Sequence, residues 1–322
     1  VGWIFFKNFT LSGLNGIRVV PRHEAGNEGG IASLKQRMTD FVRRTTGKGS
    51  DGVGRAGRIR VGTFNINGLT SQKTDDPRVL DALARIGREF DVLALQELKS
   101  PSPTVLSKLV AAINAEGGQW DYVVGPSVGV KGEEDQFAFI FDRRKVLLDR
   151  SQLYTIDDRS NVLTYEPLVA WFRTVGPPAQ KAFTFSLVNV KLDRTTASQE
   201  HELLDDVFVA VRDDGRNEDD VILVGELGSE PGDLGPLNEW ADAAFAVSTA
   251  PTDVTGETTL DNVVFHQGAT VEFTGSSGVF DFLRLYNLSL DEALAISDHM
   301  IVWAEFYLFE GGRVDPRFAQ DT

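Results

Sequence analysis

The sequence predicts an α/β domain in which helices flank packed β-sheets within a single unit. Three observations carry this. From residue 58 onward, apolar β-rich runs alternate with amphipathic helical segments in mixed order. The 322 residues, 42% of them hydrophobic, suffice for one large core with extensions. Polar residues also stand at the ends of several apolar strands, where ligands tend to bind.

The N-terminal part reads separately. Residues 1–6 (VGWIFF) are strongly apolar but far shorter than the ~20 residues of a membrane span. An edge strand, a docking segment and the end of a longer anchor all remain open readings there. Residues 11–30 are rich in Gly, Asn and charge and read as loop or weak strand. Leu34, Met38, Phe41 and Val42 recur at helical spacing among Lys35, Arg37, Arg43 and Arg44. This is a short basic amphipathic helix, docked on its own domain or facing a membrane or partner. Residues 45–57 (TTGKGSDGVGRAG) form a Gly-rich linker. The expected division is an N-terminal extension over 1–57, a main domain over 58–306 and a C-terminal tail over 307–322. No internal repeat is present.

Within the main domain, strands are expected over 58–66, 92–96, 137–141, 183–190, 221–224, 261–265 and 300–306. Helices are expected over 77–90, through Val79, Leu80, Leu83 and Ile86, and over 104–115. A third is expected over 199–212, through Leu203, Leu204, Val207, Phe208 and Val211.

Charge narrows the partners. The formal net charge of -15 works against a grip on duplex DNA, which normally needs clustered Lys and Arg. The absence of cysteine excludes disulfides and thiolate metal sites. Any imidazole chemistry must use His23, His201, His266 or His299.

Four strand ends carry polar residues: Asn65, Gln96-Glu97, Glu226 and Asp298-His299. Singly, each reads as an ordinary turn cap. In this order, and with their flanks, they resemble the DNase I-like branch of the endonuclease/exonuclease/phosphatase superfamily. The resemblance spans 58–306 through TFNINGL (63–69), DVLALQELKS (91–100), FAFIFDRRKV (137–146), EPLVAWF (166–172) and ISDHMIVWAEF (296–306). The stretch 280–299 is similar to the C-terminal part of DNase I. The resemblance implies a four-layer sandwich, two packed mixed β-sheets with helices outside.

It also implies a magnesium-dependent phosphodiester hydrolase, with roles that fall on particular positions. Glu97, Asn65 and Asp298 match metal-side positions, and Asn65 also faces the phosphate. His299 matches the terminal His that contacts the phosphate, and Asp261 the Asp that orients a catalytic His. Other positions depart from the pattern. Lys191 stands where the family's catalytic His is expected, and Asp135 where the Glu that pairs with that His belongs. Glu226 and Gly228 replace the Asp and Asn of the family's Gly-Asp-x-Asn signature. Tyr165 replaces a phosphate-binding Arg, Lys99 a common Arg, and Glu133 lies near an expected Tyr. Lys191 is expected to offer a fixed cation near Asp135 and Asp261. His201 lies inside a helix and is no stand-in.

A Lys cannot cycle protons near neutrality unless burial lowers its pKa by several units. A carboxylate displaced by ~1 Å costs about 10²-fold, and a lost oxyanion donor ~10²–10³-fold. The expectation is therefore a degenerate site, with catalysis lost or severely impaired and magnesium bound weakly or not at all. The chain is then expected to serve as a binding or structural module for an unknown protein partner or assembly, with duplex DNA disfavoured as a partner. The N-terminus suggests a membrane tether and a bacterial-type extracytoplasmic setting. The alternative is an active metal-dependent phosphodiesterase of altered chemistry.

Overall fold

The structure, a computed structural model, describes residues 9–12, 57–99 and 103–312. The expected basic helix and all of the Gly-rich linker before Gly57 lie outside the described residues. Along the chain the strands are β1 (Phe9–Ser12), β2 (Arg58–Asn65), β3 (Val92–Gln96), β4 (Trp120–Val128), β5 (Asp135–Asp142), β6 (Val146–Leu148) and β7 (Tyr154–Asp158). They continue with β8 (Leu168–Thr174), β9 (Thr184–Lys191), β10 (Val221–Glu226), β11 (Ala243–Phe245), β12 (Asp261–His266), β13 (Phe273–Phe280) and β14 (Ile301–Tyr307).

These strands build two mixed sheets, ordered β1-β7-β8-β9-β10-β12-β11, with β6 beside β8, and β13-β14-β2-β3-β5-β4. Alternation along each strand sends side chains to opposite faces. In β2, Ile59 and Val61 pack between the sheets while Phe64 packs outside. The intersheet core is aromatic: Phe139, Phe172, Phe185, Phe265 and Phe306 are all fully buried there. A second core lies under helices Pro77–Arg88, Pro103–Asn114 and Leu290–Ile296, and a third under Ala197–Arg212. Three cores separate four layers, so the expected sandwich is the observed fold.

Local chemistry fixes the helix starts. Asp76 accepts a hydrogen bond from Arg78 N at 2.8 Å, and Pro77 follows as the first helical residue. Ser289 and Glu292 form a reciprocal capping box before the short helix that leads to Asp298.

Each sheet contains one parallel pair, β2/β3 and β9/β10. Their C-terminal ends bring Asn65 beside Gln96 and Lys191 beside Glu226. Gly225 makes the second approach possible. Its φ is +150°, and a Cβ there would lie 1.8 Å from the Val190 carbonyl oxygen.

Several elements differ from the sequence reading. β13, with the sequence FTGSSGVF, was hidden by its Gly and Ser residues; it pairs with β14 through a register shift. β4 and β7 were also unanticipated. β1, which only overlaps the start of the stretch 11–30 read as loop or weak strand, pairs antiparallel with β7 at a sheet edge. At the other end the fold runs past 306: Leu308 O accepts from Phe183 N at 2.8 Å, and Phe309 bridges to Ala182. Backbone hydrogen bonds thus join residues up to Gly312 to the sandwich.

Candidate active site

Glu97 follows β3 with φ +61°, a left-handed backbone that costs a non-glycine residue about 1–2 kcal/mol. That conformation, held by Leu69 N donating to Glu97 O at 2.9 Å, turns the carboxylate into a cleft of about 360 Å³. Across the cleft, the end of β9 delivers Lys191. Its Nζ lies 3.2 Å from Glu97 Oε1, 3.2 Å from Asp135 Oδ2 and 4.1 Å from the Tyr165 ring centre. Lys99 Nζ completes the cluster, 2.6 Å from Asp135 Oδ1. Asp135 is fully buried, and two ammonium groups meet its two oxygens.

Burial lowers the Lys191 pKa, but Glu97 and Asp135 more than reverse this and the net direction is upward. Burial likewise raises Glu97, while Lys191 and the Asn65 amide prevail and hold it below its ordinary value. Both groups stay charged at neutral pH. Lys191 therefore cannot serve as a general base, because it does not give up its proton in the working range.

On the other side of the cleft, His299 Nδ1 lies 2.8 Å from Asp261 Oδ2, which also accepts from Thr252 Oγ1 at 2.9 Å. Arg194 connects this pair to Glu226, with Nε donating to Glu226 Oε1 at 2.8 Å and Nη2 standing 2.9 Å from His299 Nε2. Asn65 bridges the two halves: its Nδ2 donates to Glu226 Oε2 at 2.7 Å and to Glu97 Oε1 at 3.1 Å. Its Oδ1 accepts from Asn67 N at 2.9 Å.

Burial depresses the His299 imidazole, but Asp261, then Glu226 and Asp298, overcome this and its pKa is pushed up to about 9. A guanidinium has only donors, so the Arg194 contact is a hydrogen bond only to an unprotonated Nε2. The two influences oppose each other. The carboxylates prevail, because Asp261 and Glu226 are buried while the Arg194 side chain is 53% exposed and screened by solvent. Glu226 is raised by burial, with His299 opposing.

The structure brings Glu97, Lys191, Glu226, Asp298 and His299 to one cleft, with Asn65 and Asp261 buried behind it. One expectation needs correction, the place of Asp261 beside Lys191. Tyr165 is a buried aromatic platform under Lys191, only 6% exposed. Gly228 adopts φ +71°, and its N–H is taken by Leu260 O at 3.1 Å. The carboxylates that hold Lys191 are Asp135 and Glu97; Asp261 is engaged by His299 and Thr252 instead. Asp298 reaches only 3.9 Å from His299 Nε2 and keeps a buried, unpartnered Oδ1. Glu133 is exposed on the loop before β5.

Sequence reasoning missed Arg194, in the loop after β9 (LDRTT). Only its place directly after a site strand signals it. Lys73 was missed as well: its Nζ donates to the carbonyls of Ile66, Asn67 and Ile296, tying the Asn65 loop to the helix before Asp298. Burial brings the Lys73 pKa down to about 8. Behind the site, Gln96 Nε2 donates to Thr63 Oγ1 at 2.9 Å and Asn189 Oδ1 at 2.6 Å. This buried polar layer fixes the spacing of the two parallel strand pairs.

The chain is 29% identical over 279 residues to human deoxyribonuclease-1-like 1, covering 80% of this chain and 87% of that protein. It is 25% identical over 268 residues to rat deoxyribonuclease gamma, covering 76% and 83% respectively. The fold is similar to that of the human Nocturnin catalytic domain, with a TM-score of 0.52 at 15% identity, over 80% of this chain and 95% of that one. Residues 62–299, which enclose every residue placed in the cleft, match the Endonuclease/Exonuclease/phosphatase family, and the chain belongs to that family.

Proposed function

We propose that this chain is a DNase I-like scaffold whose catalysis is lost or severely impaired, and that it works as a binding or structural module. One observation carries the reading: Lys191 Nζ stands 3.2 Å from both Glu97 and Asp135, so a fixed ammonium answers the carboxylate expected to hold the metal.

The family typically depends on a divalent cation. The donors present here do not suit magnesium, which demands near-octahedral oxygen ligands at about 2.0–2.1 Å. Glu97 Oε1 is already shared by Lys191 and Asn65, and the Asn65 carbonyl oxygen is turned to Asn67 N. A dication beside Glu97 would meet the Lys191 ammonium. On this reading magnesium binding is millimolar or weaker, about -4 kcal/mol or less favourable. The net charge of -15 makes duplex DNA a poor partner, and a protein or assembly is the partner proposed. The N-terminal extension is proposed as the attachment, to a membrane or to that assembly, in an extracytoplasmic setting of bacterial type.

A second reading rests on the His299–Asp261 pair at 2.8 Å and the neighbouring Arg194, which together suit an enzyme of altered chemistry. The test is nicking of supercoiled plasmid, and hydrolysis of a nitrophenyl phosphodiester, with magnesium, manganese or calcium at micromolar protein. The expected result is no turnover of either. Metal-dependent nicking that disappears in Glu97→Ala rejects the first reading. Diester hydrolysis that falls in Lys191→His establishes the second.

A further inference from the structure

At the end of the molecule opposite the cleft, three carboxylates converge. Asp220 immediately precedes β10, Glu272 immediately precedes β13, and Glu310 follows β14. β10 ends at Glu226, so this cluster lies on the order of 20 Å from the active-site carboxylate. One oxygen from each of Asp220, Glu272 and Glu310 lies within 4.8 Å of the others.

Two of the three acids are buried. Asp220 is 2% exposed, while Glu272 and the adjacent Thr270 are 0% exposed. Asp220 Oδ1, Glu272 Oε2 and Thr270 Oγ1 have no hydrogen-bond partner, although the hydroxyl faces Asp220 closely enough to act on its acidity. Backbone donors reach one oxygen each of two acids: Gly311 N donates to Glu272 Oε1 at 2.6 Å, and Thr184 N to Glu310 Oε2 at 3.3 Å. Among the described residues, no salt bridge reaches Asp220 or Glu272. Leaving a carboxylate buried and unpaired costs several kcal/mol.

We propose that Asp220, Glu272 and Glu310, with the Thr270 hydroxyl, form a site for a divalent cation bound through oxygen, with calcium as the ion. Every donor is a hard oxygen, which excludes soft metals. Calcium takes 6–8 oxygens at about 2.3–2.6 Å, so ligands on opposite sides of it stand about 5 Å apart, in keeping with the spread of these three. Magnesium would require a tighter octahedron. The ion would pin three strand ends of both sheets and tie residues just past β14 to the sandwich, giving a structural role distinct from the cleft. Without a cation, burial and mutual repulsion favour the protonated acids: Asp220 is pushed up to about 9 and Glu310 to about 7, and Glu272 is raised as well.

The test is calorimetry and thermal unfolding of the chelator-treated full chain against calcium chloride. The comparison set is wild type, Asp220→Asn, Glu310→Gln and, as a control at the cleft, Glu97→Gln. The expected result is one calcium site and a calcium-dependent rise in Tm in wild type and Glu97→Gln. Affinity should fall at least 10-fold in both Asp220→Asn and Glu310→Gln. Glu310 is exposed, so its variant reports even where Asp220→Asn fails to fold. Wild type without a calcium response overturns the site. A response that survives in Asp220→Asn or Glu310→Gln, or vanishes in Glu97→Gln, places the ion elsewhere and also overturns it. If Asp220→Asn raises Tm with no calcium response in wild type, the cluster is a set of buried acids sharing protons.

Discussion

Lys191 and Glu226 are register partners on the adjacent parallel strands β9 and β10. The resemblance leads one to expect a different residue at each position, and the fold sets the two side by side. Lys191 is held by Glu97 and Asp135, while Glu226 is held by Asn65 and Arg194. Asn65 links Glu97 to Glu226, so the two side chains belong to one charge network and the effects of replacing them should not add.

Removing the cation tests the first half of that network. Lys191→Met deletes the ammonium while keeping a long side chain. It leaves Asp135, fully buried, with Lys99 alone. The expected loss is about 3–5 kcal/mol in urea unfolding, typical of breaking a buried pair. Millimolar magnesium should restore part of this loss in the variant and do nothing for wild type. Equal magnesium effects on both proteins contradict the metal-replacement reading.

Restoring chemistry tests the scaffold. Asp135→Glu, Lys191→His, Glu226→Asp and Gly228→Asn return the family pattern around the intact His299–Asp261 pair. Tyr165 is left unchanged, because an Arg in that buried position would strand a charge. Asn tolerates the left-handed backbone at 228, though its Cβ would meet Ala197 Cβ at 3.2 Å. Singly, each change should do almost nothing, since catalytic groups act as a unit. Combined, and with Arg194→Ala to free Glu226 and His299, they should give weak magnesium-dependent hydrolysis of a nitrophenyl phosphodiester. A folded combined variant that binds no metal shows that the Asn65 and Glu97 loops have moved too.

The His299 titration has a definite sign. Its folded pKa, about 9, exceeds the ordinary 6.5. Protonation therefore contributes stability that is complete below pH 6.5 and is lost as pH rises through about 9, on the order of 3 kcal/mol in all. Ring-nitrogen NMR should report this elevated titration, and Arg194→Ala should leave it elevated. A midpoint near 6.5 in wild type means that the Arg194 contact, and not the carboxylates, governs the ring.

The N-terminal extension should be separable. Among the described residues, every core residue lies within 59–306, and β1 adds only an edge strand against β7. Deleting residues 1–56 should leave a cooperatively unfolding domain with a modestly lower Tm. A deletion product without a cooperative transition shows that the β1–β7 pairing is essential to folding.

The sequence by itself determined the layers of this protein and the address of its site. The intersheet faces of β2, β3 and β5 are written in alternating Val, Ala, Ile and Phe, and the strand ends in Asn65, Glu97, Lys191 and Glu226. Those signals are local, because side-chain period and strand-end polarity need no knowledge of partners. The polar strand β7 and the Gly- and Ser-rich β13 gave no such signal, since their pairing depends on neighbours already in place. Only the tertiary structure decided what the site residues do to one another. Position 165 is as legible in sequence as position 191, yet folding turned Tyr165 inward as the platform for Lys191. Arg194 enters the cleft from a loop with no periodicity, and Asp220, Glu272 and Glu310 come together from three distant segments. Such relationships arise from long-range packing, which brings together charges that sequence spacing keeps apart, and burial then fixes how strongly they act.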